Sequence, residues 1–201
     1  MTSFGIISDM HSNDQDLEKA ISLLEKKEVN AILHLGDVIC RLNFSKPCSA
    51  NRTIQLLREK GIIGIRGLHD INRLEQDAEK LTSDSINYLD GLPKSMHIPP
   101  QVLMIHANPI DNSSYIYEPT GARLILKKSP YRLIVIGHTH IPAAFSEDGQ
   151  ELIFKAPQKI RLNPSKKYVL NPGSVGAPKD GMPPSCGIFD YHRNTFEVIF
   201  I

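Results

Sequence analysis

The sequence predicts an α/β protein, a four-layer α/β/β/α sandwich of two mixed β-sheets flanked by helices. Three observations carry that prediction. Residues 3–66 alternate strand, helix, strand, helix, strand, an order that calls for right-handed crossovers and a largely parallel sheet. The last third is rich in short strands, so a parallel half is followed by an antiparallel half. Six apolar runs each lead into a short polar motif, and open α/β sheets set their ligands beyond the carboxyl ends of their strands.

The elements follow in order. Residues 3–8 read as a buried strand, with Phe4-Gly5-Ile6-Ile7 leading into Asp9-Met10-His11. A helix is expected at about 13–27, because Leu17, Ala20, Ile21 and Leu24 keep the i, i+3, i+4, i+7 rhythm of one face. Asn13 suits its N-cap, and Asp14 and Asp16 suit the positive end of its dipole. Residues 30–35 form the second strand, in which Ala31-Ile32-Leu33 leads into Gly36-Asp37. A helix near 51–60 precedes a third strand at 62–66, which ends in Gly67-Leu68-His69-Asp70. Residues 71–91 read as helical up to Gly91-Leu92-Pro93. Strands near 95–98 and 102–106 flank a Pro99-Pro100 turn signal, the second carrying Val102-Leu103-Met104-Ile105 into His106. A polar loop spans 107–117, a helix about 119–128 and a strand 133–137, where Leu133-Ile134-Val135-Ile136 leads into Gly137-His138-Thr139-His140. Strands are then expected at roughly 142–146, 151–155, 168–171, 185–190 and 195–200, with a hairpin turn at Asp148-Gly149. The sixth apolar run, Tyr168-Val169-Leu170, leads into Asn171-Pro172-Gly173-Ser174, whose backbone is expected to fix the neighbouring loops. The basic run from Lys155 to Lys167 reads as a solvated loop rather than a phosphate-facing rim.

At 201 residues the chain is expected to be one domain spanning 1–201. Its formal charge of +1 supplies no global field for nucleic acid or an anionic membrane, and no basic aromatic groove supports a nuclease. No apolar run approaches the roughly 20 residues needed to cross a bilayer, and no signal peptide is evident. Cys40, Cys48 and Cys186 are odd in number and show no CxxC spacing, which points to reduced thiols and a cytoplasmic protein.

Asp-x-His in a turn after a strand lets a carboxylate and an imidazole converge on one ion, a donor set that suits Mn, Fe, Zn or Ni. His138 and His140 can face different ions if their turn is sharp. Each motif alone is matched as well by a satisfied structural histidine. Five of the eight histidines nevertheless fall in these motifs, in order along one sheet edge, which points to a metal centre. His34 reads as a packed core residue, and His97 and His192 as surface residues.

The ordered set D-x-H, G-D, G-x-H-D, isolated H and G-H-x-H resembles the calcineurin-like metallophosphoesterase superfamily, most closely its small bacterial and archaeal phosphodiesterase branch. The resemblance runs from Asp9 to the final strand and includes Asn171 to Gly176, Pro178, Asp180 and Gly181. It implies two divalent ions, with Mn²⁺ the leading choice and Fe, Zn and Ni the alternatives. Asp9, His11 and His140 would hold the first ion, His106 and His138 the second, and Asp37 would bridge them. It implies hydrolysis of a phosphodiester or phosphomonoester, nucleotide-like esters included, by a metal-bound hydroxide. Two ions about 3.5–4 Å apart clamp a phosphoryl oxygen and acidify a bridging water. His69 would protonate the leaving group and Asp70 would orient His69. Arg41 and Asn43, with Lys46, lie in a loop that could reach substrate phosphate. The sequence departs from the pattern at Leu68, where the family has a metal-binding, phosphate-orienting Asn. Leu68 therefore leaves a second expectation open: a catalytically impaired protein of the same fold acting as a binding or scaffold module, as the retromer scaffold subunit of the superfamily does.

Overall fold

A computed structural model describes residues 3–39, 49–74, 81–98, 101–111 and 113–201, and among them seventeen elements set the carboxyl ends of the parallel strands of each sheet on one edge of that sheet. The first sheet begins with three parallel strands, β1 (Ser3–Ile7), β2 (Ala31–His34) and β3 (Ile63–Gly64). Helices α1 (Asp14–Lys26) and α2 (Ala50–Glu59) cross between them. Asn13 caps α1 by accepting from the Asp16 N–H, and Ser49 caps α2 by accepting from the Arg52 N–H. After α3 (Leu68–Leu74) and α4 (Ser83–Gly91) comes the second sheet, with β4 (Ser95–Ile98) antiparallel to β5 (Val102–Ile105). Helix α5 (Pro119–Lys128) leads to β6 (Leu133–Val135), which runs parallel to β5. The remaining strands are β7 (Pro142–Ser146), β8 (Glu151–Ile153), β9 (Gln158–Arg161), β10 (Tyr168–Pro172), β11 (Ser185–Asp190) and β12 (Thr195–Phe200).

The strand orders are β3-β2-β1-β11-β12-β9 and β4-β5-β6-β10-β7-β8. Both sheets are mixed, as the sequence predicts. β11 lies antiparallel against β1, so the late strands are shared between the sheets. Local pattern does not specify which edge a strand joins, because that pairing is a long-range choice.

Side-chain alternation produces the layers. Along β5, Val102 and Met104 face the core between the sheets, while Leu103 and Ile105 face α5. Along β1, Ile6 joins the inter-sheet core and Ile7 the core beneath α1, α2 and α4. Strands buried on both faces read as unbroken apolar runs for this reason. Three apolar cores therefore separate four layers, helices, sheet, sheet and helix.

Two further elements differ from expectation. The helix expected over 71–91 is two helices; α3 already begins at Leu68, and Thr82 caps α4 by accepting from the Ser85 N–H. Residues 75–80 and Pro99-Pro100 lie outside the described residues. β9 falls within the basic run read as a loop. It is the edge strand of its sheet, and its Lys159 sits directly opposite Glu197 with an N–O distance of 2.6 Å. Charged edge strands are protected against further pairing, and the same charges disguise them in sequence. Lys166 pairs with Asp148, and Lys167 donates to the Leu126 and Ser129 carbonyls, so these lysines serve the fold.

The inter-sheet core depends on Phe154 and Phe196, both fully buried and meeting edge to face at 5.8 Å. Phe154→Ala should cost about 3–5 kcal/mol of unfolding free energy in guanidinium titration. A loss below about 1 kcal/mol would show that the two sheets close over the space without it.

Candidate metal centre

Six side chains from three carboxyl-end turns and the end of β5 meet where the two sheets converge. Asp9 and His11 follow β1, Asp37 follows β2, His106 follows β5, and His138 and His140 follow β6. All six are buried. Asp9, His11, Asp37 and His140 bring one ligand atom each within 4.8 Å of the others, and so do Asp37, His106 and His138. Asp37 belongs to both groups.

The turns that present them are tight. Asp9, His11, Asp37, His138 and His140 all have positive φ, between 47° and 66°. Asp and His tolerate the left-handed region better than most residues, although it still costs energy. Backbone bonds hold the turns in place: the Asp9 N–H donates to Gly36 O at 3.0 Å, and the His11 N–H to Asp37 O at 3.0 Å. Glycine permits the approach. A Cβ on Gly67 would overlap the Asp37 N and Oδ1, and one on Gly137 would overlap Ser8 Oγ.

Each ligand has one atom tied to the protein and another turned inward. Asp9 Oδ2 accepts from Ser8 Oγ at 2.5 Å and from the His138 N–H at 3.1 Å, which leaves Oδ1. Asp37 Oδ1 accepts from the His69 N–H at 2.8 Å, which leaves Oδ2. His106 Nδ1 donates to Leu35 O at 2.7 Å, and His140 Nδ1 donates to Ala177 O. Their Nε2 atoms therefore carry the lone pairs. His138 is bound the other way: its Nε2 donates to Ser113 O at 3.1 Å, which leaves Nδ1 as the basic nitrogen. Asp9 Oδ1, Asp37 Oδ2 and His106 Nε2 are buried without a hydrogen-bond partner. His106 Nε2 lies 3.2 Å from Asp37 Oδ2, and His140 Nε2 lies 3.3 Å from Asp9 Oδ1. Three orphaned buried acceptors around one space are costly unless a cation occupies it, so the donor set fits divalent ions.

The charges agree. Burial opposes ionisation of Asp9, but His140, His106 and His11 outweigh it and hold the carboxyl below its ordinary range. Asp37 is likewise lowered, with His106 overcoming burial. Burial alone would lower His106, but Asp37 and then Asp9 raise it to about 10. A cation entering here displaces that proton, since a ligating imidazole must be neutral. Burial lowers His11 to about 4 and, aided by His106, His138 to about 4.

Residues 2–194 match the model of the calcineurin-like phosphoesterase superfamily domain. The chain belongs to that superfamily. The uncharacterized protein MJ0912 of Methanocaldococcus jannaschii is 28% identical over 215 residues, covering 96% of this chain and 85% of that protein. A metallophosphoesterase from Sphaerobacter thermophilus superposes with a TM-score of 0.84 at 26% identity, covering 99% of this chain and 88% of that one. The hypothetical protein PH1004 of Pyrococcus horikoshii shares the fold, with a TM-score of 0.70 at 17% identity over 100% of this chain and 88% of that one.

The remaining site residues of this superfamily member divide. His69 stands at the rim, its side chain 37% exposed, its Nε2 3.9 Å from Asp37 Oδ2 and its ring 5.1 Å from that of His11. Leu68 is half-buried at the start of α3. Arg41, Asn43 and Lys46 lie outside the described residues, as do Cys40 and Cys48. His34 is buried with Nε2 3.0 Å from the Tyr88 hydroxyl, while His97 and His192 are exposed. Asp70 requires a correction. Instead of orienting His69, its carboxylate accepts from the Val38, Ile39 and Gly67 N–H groups at 2.8, 3.1 and 2.8 Å. It ties the turn after β2 to the turn after β3. Burial, then the charge of Asp37, push it up to about 7, against the pull of the Gly67 and Ile39 N–H groups.

The run at Asn171 is expected to fix the neighbouring loops through its backbone; its side chain does so too, and the Tyr115 contact has no sequence signal. Asn171 donates from Nδ2 to Gly137 O at 2.8 Å and to Thr139 Oγ1 at 3.0 Å, which pins the His138–His140 turn. Tyr115 stacks on His138 with centroids 3.9 Å apart.

Asp70→Asn would turn an amide N–H₂ or the carbonyl wrongly toward at least one of three N–H donors. Thermal unfolding should show a loss of about 1–3 kcal/mol, the cost of a buried unsatisfied group. Unchanged stability would mean that Asp70 does not hold the two turns together.

Proposed function

We propose that the protein is a metal-dependent phosphoesterase that hydrolyses a phosphodiester or phosphomonoester. Asp9, His11 and His140 would hold one divalent ion, His106 and His138 the other, and Asp37 both. The observation that carries the reading is the trio of orphaned buried atoms, Asp9 Oδ1, Asp37 Oδ2 and His106 Nε2, pointing into one space. Bound divalent ions would supply charge to polarise phosphate and acidify water, and Mn²⁺ is the first ion to test, with Fe, Zn and Ni after it.

The chain's own groups do the rest. The two carboxylates, held ionised by their surroundings, fix the charge of the site. The N–H of His69 is already spent on Asp37, so its ring alone is free to act at the rim. A protonated His69 would donate to the departing alkoxide, help worth typically ~10²–10⁴ in rate. The deciding experiment is an assay of the protein with added Mn²⁺ on aryl phosphomonoesters and phosphodiesters, with metal content measured beside it. Activity abolished by a chelator and restored by the ion is the expected result. An inactive protein with full metal content would sink the reading.

Leu68 favours a second reading, an impaired member of the family acting as a binding or scaffold module. Its isobutyl group offers no donor atom to an ion. Leu68→Asn should raise the second metal's occupancy and the turnover together if the enzyme reading holds. A variant with neither change moves the weight to the second reading.

His69→Ala should slow an alkyl or nucleoside ester by on the order of 10²–10⁴ and an activated nitrophenyl ester far less, with metal content unchanged. Equal slowing of both esters would make His69 a phosphate-positioning group, and loss of metal would make it a ligand.

A further inference from the structure

The loop between β5 and α5 reads as polar in sequence, yet it presents aromatic surface to solvent. The exposed large apolar side chains among the described residues are Ile63, Ile110, Tyr115, Tyr117 and Leu124, and three of these lie in this loop. Single exposed apolar residues need no explanation, but a contiguous group beside a cluster of buried ligands does.

The geometry is specific. The Tyr115 ring lies parallel to His138, centroids 3.9 Å apart and planes 7° apart. Tyr117 stacks on Tyr115 at 5.0 Å and 16°. A run of near-parallel rings thus starts on a buried histidine of the metal centre and ends in solvent, with Tyr115 50% and Tyr117 44% exposed. The Nζ of Lys179 stands 5.2 Å from the Tyr115 ring centroid. Lys179 follows closely on Ala177, whose carbonyl accepts a hydrogen bond from His140 Nδ1, and its charge is felt at His140, so a cation borders both the rings and the centre.

The loop is built to hold this arrangement. The Asp111 carboxylate accepts from the Ser113 N–H at 2.9 Å, the Ser114 N–H at 2.8 Å and the Ser114 hydroxyl. The Asn108 side chain accepts from the Ile110 N–H at 3.0 Å, and the Asn108 N–H donates to Ser114 O at 3.2 Å. Ser113 O in turn accepts from His138 Nε2. Preorganisation of this kind lowers the ordering cost of binding.

We propose that Tyr115, Tyr117 and Lys179 form the subsite for the organic half of the substrate, and that this half carries a planar nucleobase. The assignment rests on the phosphoesterase reading for its phosphate. Every nucleobase has a π-face that stacks on tyrosine irrespective of sequence, and the ammonium of Lys179 complements the anionic phosphate between base and metal centre. Tyr117 stays uncharged for this role: burial, then the Asp180 carboxylate, hold its phenol above the usual range.

The test is calorimetric binding to the Mn²⁺-supplemented protein of two non-hydrolysable phosphonates, the analogue of adenosine monophosphate and that of ribose 5-phosphate. They differ only in the base. The adenosine analogue should bind roughly tenfold more tightly, and Tyr117→Ala should erase most of that preference while Tyr117→Phe keeps it. Equal affinities in the wild type, or a preference that survives Tyr117→Ala, would overturn the subsite. The two readings fail separately. A protein that prefers the adenosine analogue but hydrolyses no ester supports the subsite and refutes the enzyme. One that hydrolyses aryl esters without any base preference does the reverse.

Discussion

The structure is organised around two ionised carboxylates in its interior. Asp9 and Asp37 are fully buried, and an uncompensated buried carboxylate costs several kcal/mol. Histidines and short hydrogen bonds reverse that penalty, so both carboxyls sit below their ordinary range despite burial. Asp70 is the control. It is just as buried and a neighbour of Asp37 in space, yet no histidine stands close enough to dominate, and it is raised to about 7. The difference separates two carboxylates arranged for a cation from one arranged for backbone N–H groups.

Holding those carboxylates imposes strain on the chain. Five of the six candidate ligands sit in the left-handed region, at of order 1–3 kcal/mol each. Strained turns persist only when their surroundings over-determine them. Here the turn after β1 is bonded to the turn after β2 through three N–H groups, Asp9 to Gly36 O, His11 to Asp37 O and Ser12 to Val38 O. On its other side, Val175 and Gly176 donate to Ser8 O and Asp9 O, each at 3.0 Å. The β10–β11 connection thus clamps the first turn, which accounts for the polar run from Asn171 onward. Stability elsewhere, in the three apolar cores, is what offsets the strain.

Much of this was legible in the chain. Strands buried on both faces declare themselves as apolar runs, so β5 and β7 are legible within a residue or two, and the ligands stand out because the runs that lead to them end in Asp or His. Other features were hidden for physical reasons. β9 carries lysine because an edge must repel partners, and lysine reads as loop. The insertion of β11 beside β1 is a pairing across the length of the chain that no local pattern encodes. Asp70 lay next to His69 in sequence, but a carboxylate chooses partners by geometry, and three N–H groups were nearer. Tyr115 and Tyr117 looked like loop residues because stacking on His138 is visible only once the fold brings the loop to β6.

Leu68 is best understood from what its turn does without it. The backbone around it is fully employed: the Gly67 N–H binds Asp70 and the His69 N–H binds Asp37. Neither bond uses the side chain at position 68, so a change there leaves the other ligands where they are. Charge balance is also preserved, because an asparagine amide and a leucine are both neutral and the site keeps its two carboxylates. Compared with the asparagine that the superfamily resemblance leads one to expect, a leucine would lack one dipole, which would weaken the hold on a cation without turning the site against it. Under the proposed phosphoesterase reading, the neighbouring His69, whose Nε2 stands 3.9 Å from Asp37 Oδ2, would be the group left to meet a phosphate oxygen where a leucine cannot.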